Sequence, residues 1–175
     1  IMDGNGRWGI KYKNSRNQGH RAGLNTIEKI IKHSLKKKIK YLTIYAFSTE
    51  NWKRPKKEVN FLFNLLEDFL TKKINELIQQ GIKFQVIGNK KPFSKKLVKI
   101  LLNSENKTKA NKNLHLNLAI NYGSKAELID AIKITIKKKI PLTQKNLEKN
   151  LYTNNCPNPD LLIRTGNTNR LSNFL

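Results

Sequence analysis

The sequence is poor in cysteine, in acidic residues and in long hydrophobic runs. Its 175 residues include a single cysteine, Cys156, which excludes an internal disulfide and leaves nothing to favour an oxidising compartment. No apolar stretch approaches the roughly 20 residues that a membrane-spanning helix needs, and no signal peptide can be read. We therefore expect a cytoplasmic protein.

The scarcity of acidic residues leaves a large positive charge. Twelve Asp and Glu stand against 35 Lys and Arg, which gives a formal net charge of +23. This balance is typical of proteins that bind polyanions, but no aromatic residue is interleaved with the lysine runs 36–38 and 137–139, as a stacking surface for nucleic acid would require. Frequent lysine, asparagine and isoleucine also indicate compositional bias. We expect these runs to end helices and predict no nucleic-acid partner, although a cationic surface would favour diphosphate substrates and an anionic membrane.

Neither end of the sequence resembles a natural terminus. The chain starts at Ile1 rather than at an initiator methionine and stops within the apolar run that ends at Leu175. Its length suits a single domain with a real core over residues 1–175. We expect this domain to be truncated at both ends, so that some site residues would lie beyond Leu175.

Strand-like and helix-like stretches alternate along the chain without a linker. Hydrophobic periodicity predicts helices over 20–37, 55–80, 94–102, 125–137 and 144–150, and strands over 1–2, 40–47, 83–87, 114–120 and 160–164. Such alternation predicts an α/β fold with a mainly parallel sheet that helices cover on both faces. Ligands of such folds gather beyond the carboxyl ends of the strands. We expect the polar stretches that follow residue 2, Phe47, Ile120 and Arg164 to share one edge.

The N-terminal stretch Asp3-Gly4-Asn5-Gly6-Arg7 combines two flexible glycines with a carboxylate and a guanidinium. The backbone near its glycines could approach a diphosphate, and Asp3 suits Mg²⁺, which binds one or two carboxylates together with phosphate oxygens. The structural alternatives are an Asx-turn or helix cap for Asp3 and a simple turn for the glycines. We interpret the stretch as a phosphate site.

Two further clusters follow predicted strands. Beyond the strand that ends at Phe47, Asn51 and Trp52 could orient an apolar substrate and shape the mouth of a channel. Core packing is a serious alternative for Phe47 and a weaker one for Trp52. Near the C-terminus Arg164 and Arg170 flank a glycine turn and could grip a diphosphate from two sides. Surface ion pairs are the alternative for these arginines, but few acidic partners are available.

Five stretches resemble, in order, the signature regions of the cis-prenyltransferases: MDGNGRW, GHRAG, YAFSTENWKRP, NYG and DLLIRTGNTNRLSNFL. The resemblance implies a Mg²⁺-dependent enzyme that adds isopentenyl diphosphate to an allylic diphosphate such as farnesyl diphosphate, forming cis double bonds. The long polyprenyl diphosphate would serve as a lipid carrier for cell-wall synthesis. The implied fold is a mostly parallel sheet with a long apolar tunnel, usually in a homodimer, with membrane association through the product.

The resemblance also implies roles for individual residues. Asp3 would hold the metal and would be catalytic together with His20 and Asn51. The allylic diphosphate would be bound by Gly4, Asn5, Gly6, Arg7, Trp8, Arg16 and His20. The isopentenyl substrate would be bound by Phe47, Ser48, Asn51, Trp52, Arg54, Arg164, Arg170 and Ser172, and Glu58 would take part in closure of the site.

The chemistry of the implied reaction explains the cations. Ionising a carbon–oxygen bond places new negative charge on the leaving pyrophosphate, which Mg²⁺ and guanidinium groups such as those of Arg7 and Arg16 stabilise in the transition state. His20 could donate a proton or a hydrogen bond to that group. A purely structural hydrogen bond near a helix start is the alternative for His20.

The chain departs from the family pattern in its last cluster and leaves the tunnel walls undetermined. Asn167, Thr168 and Asn169 stand where the family more often has glycine, glutamate and a variable residue. The family also carries a second acidic Mg²⁺ ligand and a basic tail further along, so residues 1–175 could be inactive by themselves. Plausible tunnel-lining residues are Ala46, Leu66, Leu70, Ile87, Leu114 and Leu116, although each of them, taken alone, fits ordinary core better.

Two alternative functions remain open. A non-catalytic subunit of the same fold is disfavoured, because such a subunit has no physical need to keep Asp3, Arg7, Arg164 and Arg170. A basic nucleic-acid-binding module would bind RNA or DNA in a salt-sensitive way, without any effect of diphosphates. The first glycine stretch lacks the third glycine of a dinucleotide-binding loop, and the absence of a DDxxD box argues against the helical trans-prenyltransferases.

Overall fold

The computed structural model describes residues 1–175 as helices packed around a three-stranded parallel sheet. The strands are β1 (Tyr41–Ser48), β2 (Ile82–Ile87) and β3 (Leu114–Tyr122), in the order β1-β3-β2. The helices are α1 (Asn5–Lys13), α2 (Arg16–Lys36), α3 (Lys56–Gln79), α4 (Lys95–Thr108), α5 (Ser124–Lys137) and α6 (Gln144–Glu148), and a 3-10 turn, Thr49–Lys53, follows β1. The predicted α/β class and parallel sheet are confirmed.

Successive side chains of each strand point to opposite faces of the sheet, and both faces are covered. On one face, strand residues including Ile44, Phe84 and Leu116 join the main core with α2, α3 and α4. On the other face a smaller cluster contains Tyr45, Ile87, Ala119, Tyr122 and Phe174. The sheet therefore has a hydrophobic layer on each side.

Two of the predicted strands are wrong. Neither residues 1–2 nor residues 160–164 form a strand. The two segments nevertheless lie side by side: the Ile1 amino group donates to the Ile163 carbonyl at 2.6 Å, and the Thr165 amide donates to the Ile1 carbonyl at 3.2 Å. A contact with two backbone hydrogen bonds is shorter than the ladder of an ordinary strand. It still places the C-terminal segment beside Asp3.

The predicted N-terminal glycine loop is the start of a helix. Gly4 has φ 90° and caps α1, so Gly6, Arg7 and Trp8 lie within the first turns of that helix. The positive φ explains the glycine at position 4, because other residues rarely adopt it. Helix α2 also begins earlier than predicted, at Arg16, where the Ser15 hydroxyl caps it by accepting from the Gln18 amide.

Helix α4 extends beyond the predicted end at Leu102 because its polar last turns bind the edge strand. The Glu105 carboxylate accepts from the Val86 amide at 2.8 Å, and the Thr108 hydroxyl accepts from the Phe84 amide at 3.0 Å. These bonds satisfy backbone donors on β2 that no neighbouring strand pairs. Glu105 and Thr108 therefore have a structural role in the last turns of α4.

Other helix boundaries follow the sequence signals. Gly81, with φ 68°, follows the end of α3, and the Thr143 hydroxyl caps α6 by accepting from the Asn146 amide. The lysine runs end α2 and α5 as predicted, where cations interact favourably with the helix dipole. None of the helices combines the length and the apolar character that a membrane span requires.

Helices α1 and α2 approach each other closely at two glycines. A Cβ on Gly9 would lie 2.3 Å from the Ser15 carbonyl oxygen, and one on Gly19 would lie 2.0 Å from the Asn5 carbonyl oxygen. Neither backbone leaves room for a Cβ at this point, so both positions require glycine. The contact fixes the start of α1 against α2.

We predict that Gly19→Ala destabilises the protein. Alanine favours a helix by about 1 kcal/mol over glycine, but the clash with Asn5 should outweigh this gain and lower the free energy of unfolding by about 1–3 kcal/mol. Denaturant unfolding followed by circular dichroism measures the change. Asn25→Ala, at an exposed position of the same helix, is the control and should cost nothing. Unchanged stability of Gly19→Ala would contradict the close contact.

Candidate active site

A cavity of about 600 Å³ lies between the sheet and helices α2 and α3. Its polar end lies beyond the carboxyl end of β1, and its apolar end is lined by residues of both helices. The predicted site residues that line the cavity are Asp3, Gly4, Asn5, Gly6, Arg7, Arg16, His20, Phe47, Ser48, Asn51, Arg54, Arg164, Arg170 and Ser172. Residues from three distant parts of the chain thus converge on one space.

Asp3 lies at the polar end between two arginines. Its Oδ2 accepts from Arg164 at 2.8 Å and from the Thr168 hydroxyl at 3.1 Å, while its Oδ1 accepts from the Gly4 amide at 2.7 Å and from Arg7 at 3.4 Å. Burial opposes ionisation of the carboxyl group, but the hydrogen bonds from Arg164, Gly4 and Thr168 outweigh it and lower the pKa of Asp3 to about 2. Asp3 is therefore ionised at neutral pH.

Arg164 links Asp3 to the rest of the C-terminal cluster. Its Nη1 donates to the Arg170 carbonyl and, at 2.8 Å, to the Ser172 hydroxyl, which also accepts from Nε of Arg170 at 3.2 Å. The side chain of Arg164 is only 8% exposed, and its buried Nε–H has no partner. An unpartnered buried donor beside a cavity is a group that an anionic ligand could satisfy.

The buried carboxylate of Glu58 contacts two arginines and a histidine. Arg16 donates to it from Nε and Nη2 at 3.1 and 3.2 Å, Arg54 donates from Nη1 at 3.2 Å, and His20 Nε2 lies 3.1 Å from Oε1. Burial opposes ionisation of Glu58, but hydrogen bonds from Arg16 and His20 outweigh it and lower its pKa. For His20 burial dominates and lowers the pKa, although Glu58 acts in the opposite direction.

Two predicted site residues, both tryptophans, do not line the cavity. The Trp52 indole N–H donates to Asn121 Oδ1 at 2.8 Å, and its ring packs edge-on against Phe47. The C-terminal end of β3 thus supports the 3-10 turn after β1 without reaching the cavity. Trp8 is 43% exposed and packs against Tyr12, with ring centroids 5.5 Å apart.

The apolar part of the cavity was predicted less well than the polar part. Ala46, Leu66 and Leu116 line it as expected, whereas Leu70, Ile87 and Leu114 belong to the core instead. Helix α2 contributes residues that the sequence reasoning missed, namely Leu24, Ile27 and Ile31. Their helical spacing was a usable signal, but it could not distinguish a cavity wall from packed core.

Two hydroxyl groups near Asp3 were also missed. Thr165 accepts from the Asp3 amide at 2.9 Å and donates to the Asp3 carbonyl at 2.6 Å, while Thr168 binds the carboxylate. Thr168 is one of the positions that depart from the family pattern. The threonine at this position makes a polar contact with Asp3.

A prenyltransferase family model for undecaprenyl diphosphate synthase matches residues 1–175. The chain belongs to the undecaprenyl diphosphate synthase family. An isoprenyl transferase of Clostridium tetani is 47% identical, with 100% of this chain and 71% of the relative covered. A ditrans,polycis-undecaprenyl-diphosphate synthase of Micrococcus luteus, named as specific for (2E,6E)-farnesyl diphosphate, is 43% identical, with 100% of this chain and 73% of the relative covered.

Solved structures of the family share this fold. A probable undecaprenyl diphosphate synthase from Campylobacter jejuni has a TM-score of 0.81 and 36% identity, with 99% of this chain and 76% of that chain covered. Lavandulyl diphosphate synthase from Lavandula x intermedia, solved with dimethylallyl diphosphate, has a TM-score of 0.90 and 34% identity, with 99% and 79% covered. The likeness supports a cis-prenyltransferase fold and activity over the nucleic-acid module or the non-catalytic subunit.

We predict that Glu58→Gln lowers the pKa of His20. The Glu58 carboxylate favours the protonated imidazole, so its neutralisation leaves burial and the nearby Arg16 and Arg54 to favour the neutral ring. Protonation of His20 should then occur only at lower pH than in the parent protein. An NMR titration of the histidine ring signals measures this shift. His115 is the internal control, because its pKa is lowered by burial and by Lys83 and Lys40, and it should not respond.

Proposed function

We propose that the protein condenses isopentenyl diphosphate units onto an allylic diphosphate, farnesyl diphosphate, and so builds a long polyprenyl diphosphate for a cell-wall lipid carrier. The proposal rests mainly on one observation. Two arginine clusters, Arg7 with Arg16 and Arg164 with Arg170, lie near Asp3 at the polar end of one apolar cavity. Two anionic groups and one apolar chain could be held there together. The name of the Micrococcus luteus relative supports farnesyl diphosphate as the primer.

The N-terminal cluster would bind the allylic diphosphate. Arg7 lies in the first turns of α1, whose free backbone N–H groups favour an anion. Arg16 and His20 approach the same end of the cavity from α2 and are positioned by Glu58. The guanidinium groups of Arg7 and Arg16 would stabilise the negative charge that develops on the departing pyrophosphate as the allylic carbon–oxygen bond breaks, and His20 would add a hydrogen bond. Trp8 stands outside the cavity and would at most cover the bound substrate.

The C-terminal cluster would bind isopentenyl diphosphate. Arg164, Arg170 and Ser172 are joined by hydrogen bonds, and the unpartnered Nε–H of Arg164 offers a further donor. Asn51, held by the amide of Ser48, would orient the isopentenyl group. A new carbon–carbon bond would then form from its terminal double-bond carbon to the allylic carbon. The positive charge would then lie on the methyl-bearing carbon of the former double bond, and loss of a proton from the CH2 group next to it, on the diphosphate side, would create the cis double bond.

Mg²⁺ would fit at Asp3 only together with a diphosphate. The structure contains no group of three or more His, Cys, Asp or Glu side chains that could hold a metal ion. Asp3 is one ionised carboxylate at the polar end of the cavity, and Mg²⁺ is commonly held by one or two carboxylates plus substrate phosphate oxygens. When bound, the ion would neutralise charge on the leaving pyrophosphate. Asp3 would hold the ion, and Arg164 beside it would bind the substrate diphosphate.

Assembly into a homodimer is a further part of the proposal. Helix α5 exposes Leu128, Ile129 and Ile136, with Ile136 65% exposed, and this apolar stripe suits a second copy of the chain. We also propose a cytoplasmic location and an association with the membrane through the apolar product. These two statements rest on the family resemblance.

We predict that Ile136→Glu weakens self-association. A charge on the exposed stripe of α5 cannot be buried against an identical copy without a large penalty. Sedimentation velocity should give a dimer for the parent protein and a slower, monomeric species for the variant at equal concentration. Lys107→Glu, at an exposed position of a different helix, α4, is the control and should stay dimeric. A monomeric parent protein would contradict the proposed dimer.

We predict that Asp3→Asn abolishes nearly all prenyl transfer. The full-length protein is incubated with radiolabelled isopentenyl diphosphate, farnesyl diphosphate and Mg²⁺, and the lipid product is extracted and sized. Loss of the ionised carboxylate should reduce incorporation by about 100-fold or more, and chelation of Mg²⁺ with EDTA should have a similar effect that added Mg²⁺ reverses.

The control for this assay is Asp68→Asn, which removes an exposed carboxylate of α3 and should keep full activity. Normal turnover by Asp3→Asn would contradict the assignment of Asp3 as a residue that the reaction needs. A parent protein that incorporates no isopentenyl diphosphate under any condition would contradict the proposed function itself.

A further inference from the structure

Asn173 joins three parts of the chain that are far apart in sequence. Its side-chain Nδ2 donates to Glu50 Oε1 at 3.0 Å, in the 3-10 turn that follows β1. Its Oδ1 accepts from the Ser124 hydroxyl at 2.9 Å and from the Lys125 amide at 3.0 Å, in the first turn of α5. Its backbone carbonyl accepts from the Ser124 amide at 2.9 Å. The residue directly before it, Ser172, belongs to the C-terminal cluster.

The backbone at Ser172 and Asn173 has an uncommon conformation. Their φ values are 52° and 60°, in the left-handed region that residues other than glycine adopt infrequently. Asparagine is among the residues that tolerate this region, and serine is less suited to it. Such conformations persist where surrounding contacts hold them, and they are frequent at functional sites. Here the contacts of Asn173 hold the bend that places the Ser172 hydroxyl between Arg164 and Arg170.

One role of Asn173 is to cap helix α5. The N-cap position of α5 is Gly123, which has no side chain to offer, so Asn173 supplies the capping oxygen from a distant part of the chain. A Cβ on Gly123 would lie 2.6 Å from Asn173 Nδ2 and 2.8 Å from the Thr49 hydroxyl oxygen, so only glycine leaves room for this contact. The cap uses Oδ1 of Asn173, and it does not need the hydrogen bond to Glu50.

We propose that Asn173 is a positioning residue that holds the C-terminal cluster and the turn that carries Asn51 in one fixed arrangement. This inference rests on the proposed function, because it assumes that isopentenyl diphosphate is bound through its diphosphate by the cluster and through its alkene by Asn51. The two ends of that substrate then depend on distant parts of the chain, which the Asn173–Glu50 hydrogen bond links directly. Although Asn173 lines the cavity, its amide group is bound to protein partners, so it acts through its neighbours.

The hydrogen bond from Asn173 reaches a charged acceptor. Partial desolvation opposes ionisation of Glu50, but the hydrogen bond from Asn173 and bonds within the turn outweigh it and lower the pKa of Glu50. Hydrogen bonds to ionised groups are stronger than those between neutral groups. An aspartate at position 173 would keep acceptor oxygens for the cap of α5, but it would place a second negative charge beside Glu50. The exchange of one atom therefore separates the two roles of Asn173.

The test measures steady-state kinetics of the full-length protein, with isopentenyl diphosphate and farnesyl diphosphate varied in turn. Asn173→Asp should raise the KM for isopentenyl diphosphate about tenfold, as expected for loss of a hydrogen bond to a charged group. The KM for farnesyl diphosphate should stay the same, because Arg16 and His20 are held by Glu58. Ser124→Ala, which removes only a contact at the start of α5, is the control for the capping role and should change neither KM.

Substitutions at position 50 distinguish the hydrogen bond from the charge. In Glu50→Gln combined with Asn173→Asp, the glutamine amide can donate to the aspartate, so the KM for isopentenyl diphosphate should return to within about twofold of the parent value. Glu50→Ala combined with Asn173→Asp has the same net charge without the bond and should stay impaired. Glu50→Ala alone breaks the bond, leaves the cap of α5 intact and should raise the same KM.

Circular dichroism and denaturant unfolding establish that each variant is folded before its kinetics are compared, and Glu50→Ala provides the measurement if Asn173→Asp does not fold. An unchanged KM for isopentenyl diphosphate in the folded single variants, or equal recovery with glutamine and alanine at position 50, would overturn the inference and leave the proposed function intact. Absence of incorporation by the parent protein would instead overturn the proposed function.

Discussion

The ion pair between Asp3 and Arg164 is the contact on which the candidate site depends. It joins residues 161 positions apart and lies between two segments that are not strands of the sheet. Backbone hydrogen bonds from Ile1 and Thr165 hold these segments side by side, and Thr165 also binds the backbone of Asp3. Together these contacts place the two arginine clusters at the same end of the cavity.

A second carboxylate, that of Glu58, positions the other basic side chains of the site. Glu58 is buried and contacts Arg16, His20 and Arg54, and so orders cations from α2 and from the loop after β1. In a chain with a net charge of +23, Glu58 is a scarce carboxylate surrounded by basic side chains. Asp3 contacts Arg7 and Arg164, Glu58 contacts Arg16 and Arg54, and a diphosphate could take over the arginine partners of either carboxylate.

The sequence predicted the polar half of the site well because its residues occur in contiguous stretches with recognisable chemistry. Its chemistry predicts Asp3 as a metal ligand and Arg7, Arg164 and Arg170 as anion-binding residues, and all four line the cavity. The three central strands were also predicted, since buried parallel strands have nearly continuous apolar runs.

The features of the fold and of the site that could not be predicted from the sequence depend on contacts between distant residues. The helical start at Gly4 requires the close approach of Gly9 to α2, and the last turns of α4 are fixed by bonds from Glu105 and Thr108 to β2. Apolar residues such as Leu70 and Leu66 look alike in sequence, although one is core and the other lines the cavity.

The most direct test of this account is a crystal structure of the full-length protein with isopentenyl diphosphate, Mg²⁺ and an unreactive thio analogue of farnesyl diphosphate. We expect one diphosphate at Arg7 and Arg16, the other at Arg164 and Arg170, and Asp3 between them. The farnesyl chain should extend between α2 and α3 towards Phe69. Diphosphates bound away from Asp3, or a farnesyl chain outside the cavity, would contradict the account.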